Sequence, residues 1–89
     1  MTYRRARGVL FRAYANEVVV AVPGAPDFEL LSGPAADAWA LLQDPCSEQE
    51  IVATLAVLYQ ASEGTVKRDI RALLADLESR GLIEAGSDA

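Results

Sequence analysis

The sequence predicts an α+β fold in which a three-stranded antiparallel sheet is followed by three helices in a helix-turn-helix-like cluster. Before residue 32, the apolar residues come in short runs of β-branched and aromatic side chains, at residues 9–11, 18–22 and 28–31. Runs of this kind are typical of strands. After residue 32, the apolar residues recur every three or four positions, which is the spacing of an amphipathic helix.

Turn signals separate the three predicted strands. Asn16 lies between the first two strands, and residues 23–27, which include two prolines and a glycine, lie between the second and the third. Prolines and glycines in such a connection fix a turn. We therefore expect an antiparallel meander with the second strand in the middle. Such a small sheet is barely stable unless its apolar face is covered, so it should pack on the helices.

Capping signals mark the first two helices. Ser32 is the predicted N-cap of the first helix, and Pro45 ends it because a residue before proline avoids the helical region. Ser47 and Glu50 have the spacing of a capping box at the start of the second helix. The stripes that we expect to face the core are Ala35, Ala38, Trp39 and Leu42 in the first helix and Ile51, Leu55, Leu58 and Tyr59 in the second.

The third helix has signals at both ends. Ser62 or Thr65 opens it, and Gly81 ends it because glycine adopts the left-handed C′ conformation most easily. Leu82 and Ile83 are then expected to fold back onto the core. The apolar stripe of this helix is Val66, Ile70, Leu73, Leu74 and Leu77.

A length of 89 residues indicates one domain over residues 1–89. The chain is 52% hydrophobic and 24% charged, which is too apolar for a disordered chain. Its net charge is −5, but half of its eight basic residues, Arg4, Arg5, Arg7 and Arg12, lie in the first twelve positions. We expect these arginines to form a solvated N-terminal arm, with contact to nucleic acid or to an acidic partner as the alternative.

Little in the sequence supports catalysis. No histidine is present, which removes the commonest general base and metal ligand. Cys46 is the only cysteine, so we expect neither a zinc site nor an internal disulfide, and we interpret it as a small structural residue. No stretch approaches the roughly 20 apolar residues of a membrane span, and no signal-peptide pattern is present. We expect a cytoplasmic, non-enzymatic protein without cofactor or metal.

Two surfaces remain as candidates for binding. The third strand lies at an edge of the predicted meander, where an extended peptide can pair as an added strand. The last helix carries Lys67, Arg68 and Arg71, which can contact phosphates in a DNA-binding helix. Acidic residues on the same helix and the acidic remainder of the chain argue against nucleic acid as a partner.

Three segments resemble the PqqD-like family in their order and spacing. In residues 28–42, a strand that ends in Leu30 and Leu31 runs into an alanine-rich helix with Trp39 and a leucine pair. Residues 47–55 are similar to the family's second helix. Residues 69–83, which end in the glycine terminator and two apolar residues, are similar to its third helix. The resemblance covers about residues 8–84, nearly the whole chain.

The resemblance implies a winged helix-turn-helix-like domain that recognises the leader segment of a ribosomally made precursor peptide. In the family, the leader adds as a strand to the third strand and lies against the third helix. The peptide-binding residues that this implies are Phe28, Glu29, Leu30, Leu31, Arg68, Asp69, Ala72, Leu73 and Asp76.

Two pathway roles follow from the resemblance. One is a peptide chaperone that serves a radical enzyme in cofactor biosynthesis; the other, which we favour, is the recognition protein of lasso-peptide clusters. The partners in the second role are the precursor peptide, a leader peptidase and a cyclase or other modifying enzyme. Two other classes stay open: a small winged-helix DNA-binding regulator, whose affinity would fall steeply with salt, and a subunit that folds only together with an enzyme.

Overall fold

The computed structural model describes residues 2–86 and contains six strands and three helices in that range. The α+β class is confirmed. The predicted order of three strands followed by three helices is incomplete, because further strands lie at the start, between the first two helices and after the last helix. In chain order the elements are β1 (Thr2–Arg5), β2 (Leu10–Tyr14), β3 (Glu17–Ala21), β4 (Glu29–Ser32), α1 (Pro34–Leu41), β5 (Cys46–Ser47), α2 (Glu48–Leu58), α3 (Glu63–Ser79) and β6 (Ile83–Gly86).

Strands β2, β3 and β4 form the predicted antiparallel meander, with β3 in the middle. Val18 pairs with Leu31, and Val20 pairs with Glu29 on one side and with Phe11 on the other. Because side chains alternate between the faces of a strand, these residues share one face. Val18, Val20 and Leu31 are buried there, so this is the face that covers the core.

A second small sheet corrects the prediction for the N-terminus. Strand β1 is not a solvated arm: it lies in the middle of a sheet of order β5–β1–β6, where Arg5 pairs with Ile83 and Arg4 with Glu84. The partner strand β6 follows the last helix. Its pairing with β1 joins residues about as far apart as the chain allows, so no local pattern in the sequence indicates it.

The helix ends agree with the sequence signals in α2 and α3, whereas α1 differs at both ends: it ends at Leu41, before it reaches Pro45. Ser32 is the last residue of β4, and Gly33, with a φ of 59°, is the N-cap of α1 without a side-chain capping bond. The strand therefore turns directly into the helix through a glycine that tolerates this conformation. The capping box is confirmed, since Ser47 and Glu50 exchange two hydrogen bonds of 3.1 Å. Helix α3 ends before Gly81, which has a φ of 77°.

The core is built mainly from the predicted stripes, with two errors in α2. Leu82 and Ile83 fold back onto it as expected and are fully buried. Leu58 is wrong as a core residue, because it is 59% exposed, and Tyr59 is the exposed C-cap beyond the last turn. The helix is rotated so that its buried positions are Ile51, Val52, Leu55 and Ala56.

One arginine connects the two sheets to the first helix. The guanidinium of Arg5 donates hydrogen bonds of 2.6 and 3.2 Å to the carbonyl oxygen of Trp39. It also lies 4.5 Å from the centre of the Phe11 ring and 4.8 Å from that of Trp39, and the two rings pack edge to face. Burial lowers the pKa of Arg5. These contacts fix β1, β2 and α1 to one another.

Candidate functional site

The outer edge of β4 is unpaired within residues 2–86, because β3 is its sole partner strand there. Its backbone N–H and C=O groups on that side can therefore accept an added strand. The side chains alternate as a pleated strand requires: Leu30 is 56% exposed and Leu31 is 4% exposed. Phe28, just before the strand, is also exposed, whereas Glu29 is half-buried. Leu31 thus contributes its backbone to the edge and its side chain to the core.

Helix α3 has two charged flanks that face different neighbours. Arg71 Nε lies 3.1 Å from Glu48 Oε2 of α2, and Arg80 Nη1, just after the helix, lies 3.4 Å from Glu29 Oε1 of β4. At about 100° per residue, Asp69, Leu73 and Asp76 project within about 40° of Arg80. One flank of the helix, here called the groove flank, therefore contains Asp69, Leu73, Asp76 and Arg80, and it contacts β4 through Arg80.

The remaining predicted helix residues lie away from the centre of the groove flank. Ala72 is about 80° from Arg80 and is exposed, so it lies at the margin of the groove flank. Arg68 is about 120° from Arg80, on the exposed side of the helix, and the structure does not bring it toward β4. Arg71 is one of the three basic residues that could contact phosphates in a DNA-binding helix, but here it forms an ion pair with Glu48.

Arg80 spans the space between the strand and the helix, and sequence reasoning missed it. Its Nη2 lies 2.8 Å from Asp76 Oδ2, while its Nη1 approaches Glu29 of β4. The second carboxylate oxygen of Glu29 is buried and has no hydrogen-bond partner among the described residues. The spacing of four residues between Asp76 and Arg80, next to the terminating glycine, was the available signal for this contact.

A cavity of about 230 Å³ lies beside this bridge. Its lining includes the apolar residues Val20, Val22 and Leu82 and the charged residues Asp27, Glu29 and Arg80. It lies near the start of β4, at one end of the space between β4 and the groove flank. An extended chain paired with β4 would pass beside this cavity, and the apolar part of its lining suits an aliphatic side chain.

The groups with shifted pKa values offer no catalytic arrangement. Burial raises the pKa of the Cys46 thiol, and nearby Glu50 raises it further, which is the opposite of what a nucleophilic cysteine requires. The hydrogen bond from Tyr59 to Asp37 raises the pKa of Tyr59. Within the described range no three potential metal-ligating residues gather, and no helix is long and apolar enough to cross a membrane.

Two solved structures are similar to this chain over nearly its whole length. The first is TbiB1 in complex with the TbiA(beta) leader peptide: 26% of residues are identical, the match covers 96% of this chain and 99% of that chain, and the TM-score is 0.86. The second is the solution NMR structure of the PqqD truncation of Methylobacterium extorquens PqqCD, a stand-alone RiPP recognition element. It is 24% identical, with 94% and 89% of the chains covered and a TM-score of 0.76. No curated protein sequence matches significantly.

The family comparison agrees with these structures and with the winged helix-turn-helix-like fold that the resemblance implied. The matching family model is that of coenzyme PQQ synthesis protein D (PqqD), and it matches residues 17–83. This range contains the meander from β3 onward, all three helices and the first residue of β6. Because the match spans well over half of the chain, the protein belongs to the PqqD family.

Proposed function

We propose that this protein is a non-catalytic recognition module that captures the leader segment of a ribosomally made precursor peptide. The leader would pair as a fourth strand with the outer edge of β4 and lie against the groove flank of α3. The observation that carries this proposal is the unpaired edge of β4 beside the end of α3, where Arg80 contacts both Glu29 of β4 and Asp76 of the groove flank.

The geometry divides affinity and selectivity between two kinds of contact. Backbone hydrogen bonds to β4 are the same for any extended peptide, so they contribute affinity but do not distinguish one peptide sequence from another. Side chains of the added strand alternate in direction, so every second one points toward the helix side of the sheet. There it meets Leu73 and the apolar cavity that Val20, Val22 and Leu82 line. Apolar residues at alternate positions of the peptide would therefore decide which peptide binds.

The likeness to TbiB1 supports a leader peptide as the ligand. That structure contains a leader peptide, and it exceeds the other solved structure in both identity and TM-score. We therefore favour a role like that of TbiB1 over service to a radical enzyme in cofactor biosynthesis. In the lasso-type pathway that we propose, the captured precursor is presented to a leader peptidase and then to a cyclase or other modifying enzyme. Co-purification of these enzymes with the loaded protein would test the pathway.

Titration with a peptide, followed by amide NMR shifts, tests the proposed binding. The probes are the leader of a short precursor reading frame beside this gene and the TbiA(beta) leader peptide. We expect the largest amide shifts in residues 28–32 and, in α3, at the residues of the groove flank. A scrambled peptide of the same composition is the control. Shifts that miss both segments while the cognate leader binds would show that strand addition to β4 is wrong.

A further inference from the structure

The N-terminal arginines form a basic groove that the proposed function does not use. Arg4, Arg5 and Arg7 line it together with one acidic residue, Glu84, and its volume is about 480 Å³. The guanidinium of Arg5 is already hydrogen-bonded to the carbonyl oxygen of Trp39. Arg4 is exposed, and its Nε lies 3.1 Å from Glu84 Oε2. Within residues 2–86, no ion pair holds Arg7. This groove is a concentration of positive charge in a protein with a net charge of −5.

The basic groove lies next to the start of β4. This is one end of the space between β4 and the groove flank, where the proposed peptide would bind. The backbone N–H of Ala6, between Arg5 and Arg7, donates a 2.9 Å hydrogen bond to the carbonyl oxygen of Leu82. Leu82 itself lines the cavity beside Glu29 and Arg80. The loop after β1 also touches the loop before β4, since a Cβ at Gly8 would lie 3.4 Å from Pro23 Cγ. A peptide that runs past the start of β4 therefore meets Arg4 and Arg7 next.

We propose that Arg4 and Arg7 form a second subsite, which binds acidic side chains of the peptide where it continues beyond Phe28. This proposal rests on strand addition to β4 for its connection to the bound peptide. The groove flank carries two carboxylates, Asp69 and Asp76, against one cation, Arg80, which pairs with Asp76, so its net charge is negative and it disfavours an acidic segment. The protein thus presents negative charge along the helix and positive charge at one end, and this polarity fixes the direction of a peptide that is acidic at one end.

The charges favour an acidic peptide over a nucleic acid as the occupant. Proteins that bind duplex DNA commonly neutralise several phosphates, whereas two guanidinium groups are available here. One of these, Arg4, already has Glu84 as its neighbour. A pair of carboxylates on one extended segment matches two arginines without placing a long charged backbone against the acidic remainder of the protein.

Titration with a blocked hexaglutamate peptide at low salt tests the subsite without requiring the natural ligand. We expect amide shifts in residues 4–8 and at Glu84, with weak binding that declines as salt screens the charges. Arg7→Ala should weaken binding about two- to fivefold, which is the upper part of the range for an exposed charge pair. Arg68→Ala removes an equal charge from the exposed face of α3 and should leave the affinity unchanged. Hexaglutamine should produce no shifts in residues 4–8.

Several outcomes would overturn the subsite. They are equal binding of hexaglutamine, equal effects of Arg7→Ala and Arg68→Ala, shifts centred on residues 67–71, or tighter binding of a short DNA duplex at the same amides. The leader titration distinguishes this failure from that of the proposed function. If the leader shifts β4 and hexaglutamate does not shift residues 4–8, strand addition stands and the subsite is wrong. If hexaglutamate shifts residues 4–8 but the leader leaves the amides of β4 unchanged, strand addition is wrong. The proposed connection between the subsite and a peptide bound at β4 is then wrong as well.

Discussion

The two edges of the meander have the same backbone chemistry but different surroundings. At the β2 edge, all five residues are exposed, and a charged residue, Arg12, stands in the middle. On its inner face, Phe11 packs against Trp39 and Arg5. At the β4 edge, exposed Leu30 alternates with buried Leu31, and Arg80 of the helix side reaches Glu29. Within residues 2–86, an unpaired edge is therefore common to both strands, whereas contact with the end of a helix belongs to β4.

Proline substitutions should give the largest difference between the two edges. Because strand amides alternate in direction, one of Glu29→Pro and Leu30→Pro removes an outward N–H, while the other removes a bond to β3. We expect the outward one to weaken leader binding on the order of 100-fold with little loss of stability, because proline neither donates nor fits an added strand. Leader affinity and urea unfolding of each variant would be measured.

The matched pair in β2 is Arg12→Pro and Ala13→Pro. The outward substitution of this pair should leave leader affinity unchanged, since the peptide is not expected at β2. If it weakens binding as much as its counterpart in β4, the two edges do not differ in the way that the groove implies.

Arg5 tests the conclusion that the β2 side of the sheet is structural. Replacing it with methionine removes two hydrogen bonds to Trp39 and the stacking on two rings, at an expected cost of about 2 kcal/mol in unfolding free energy. Arg5→Lys should recover only part of this, because an ammonium lacks the planar fork. Arg12→Met, the exposed control, should change stability by less than about 0.5 kcal/mol. Urea unfolding measures all three, and equal losses for Arg5 and Arg12 would refute the structural role.

Leu73 tests the second wall of the groove. Leu73→Ala should weaken leader binding about five- to tenfold, because it removes apolar surface from the flank that faces β4. Leu58 is the matched control, since it is an exposed leucine on a different helix. Isothermal titration of both alanine variants compares them. A larger loss for Leu58→Ala would place the peptide elsewhere on the protein.

The smallest expected effect is that of the bridge across the groove. Arg80→Gln breaks contacts with Glu29 and Asp76 that are partly exposed, so we expect a loss of at most about 1 kcal/mol that shrinks as salt is added. Arg4→Gln, which breaks the exposed pair with Glu84, should cost a similar amount. Thermal unfolding at two salt concentrations measures both. A larger, salt-independent loss for Arg80→Gln would mean that the bridge holds β4 to α3.

The sequence predicted those parts of the fold that local signals determine. The meander, the capping box of Ser47 and the end of α3 at Gly81 depend on residues within a few positions of one another, and the structure has them all. Strand β1 could not be predicted, because its partner β6 lies at the other end of the chain. The rotation of α2 that exposes Leu58 could not be predicted from the sequence either, since Val52 and Leu58 are both apolar.

The candidate site was predictable in its elements and less so in its side chains. The edge strand could be placed from the run at residues 28–31, and the structure shows it unpaired within the described chain. Which flank of α3 faces it depends on the rotation of the helix, which Arg71 and Arg80 reveal through their partners. Arg68 and Asp69 are adjacent in sequence and about 100° apart on the helix, and with this rotation Asp69 lies on the groove flank while Arg68 does not.

Backbone amide hydrogen exchange with and without the leader peptide tests the central claim most directly. The outward amides of β4 have no partner strand in the described residues, so an added strand should slow their exchange on the order of tenfold or more. The amides of β2 should exchange at the same rate in both states. Protection of β2 by the bound leader, or unchanged exchange in β4 when the leader is fully bound, would contradict strand addition at the β4 edge.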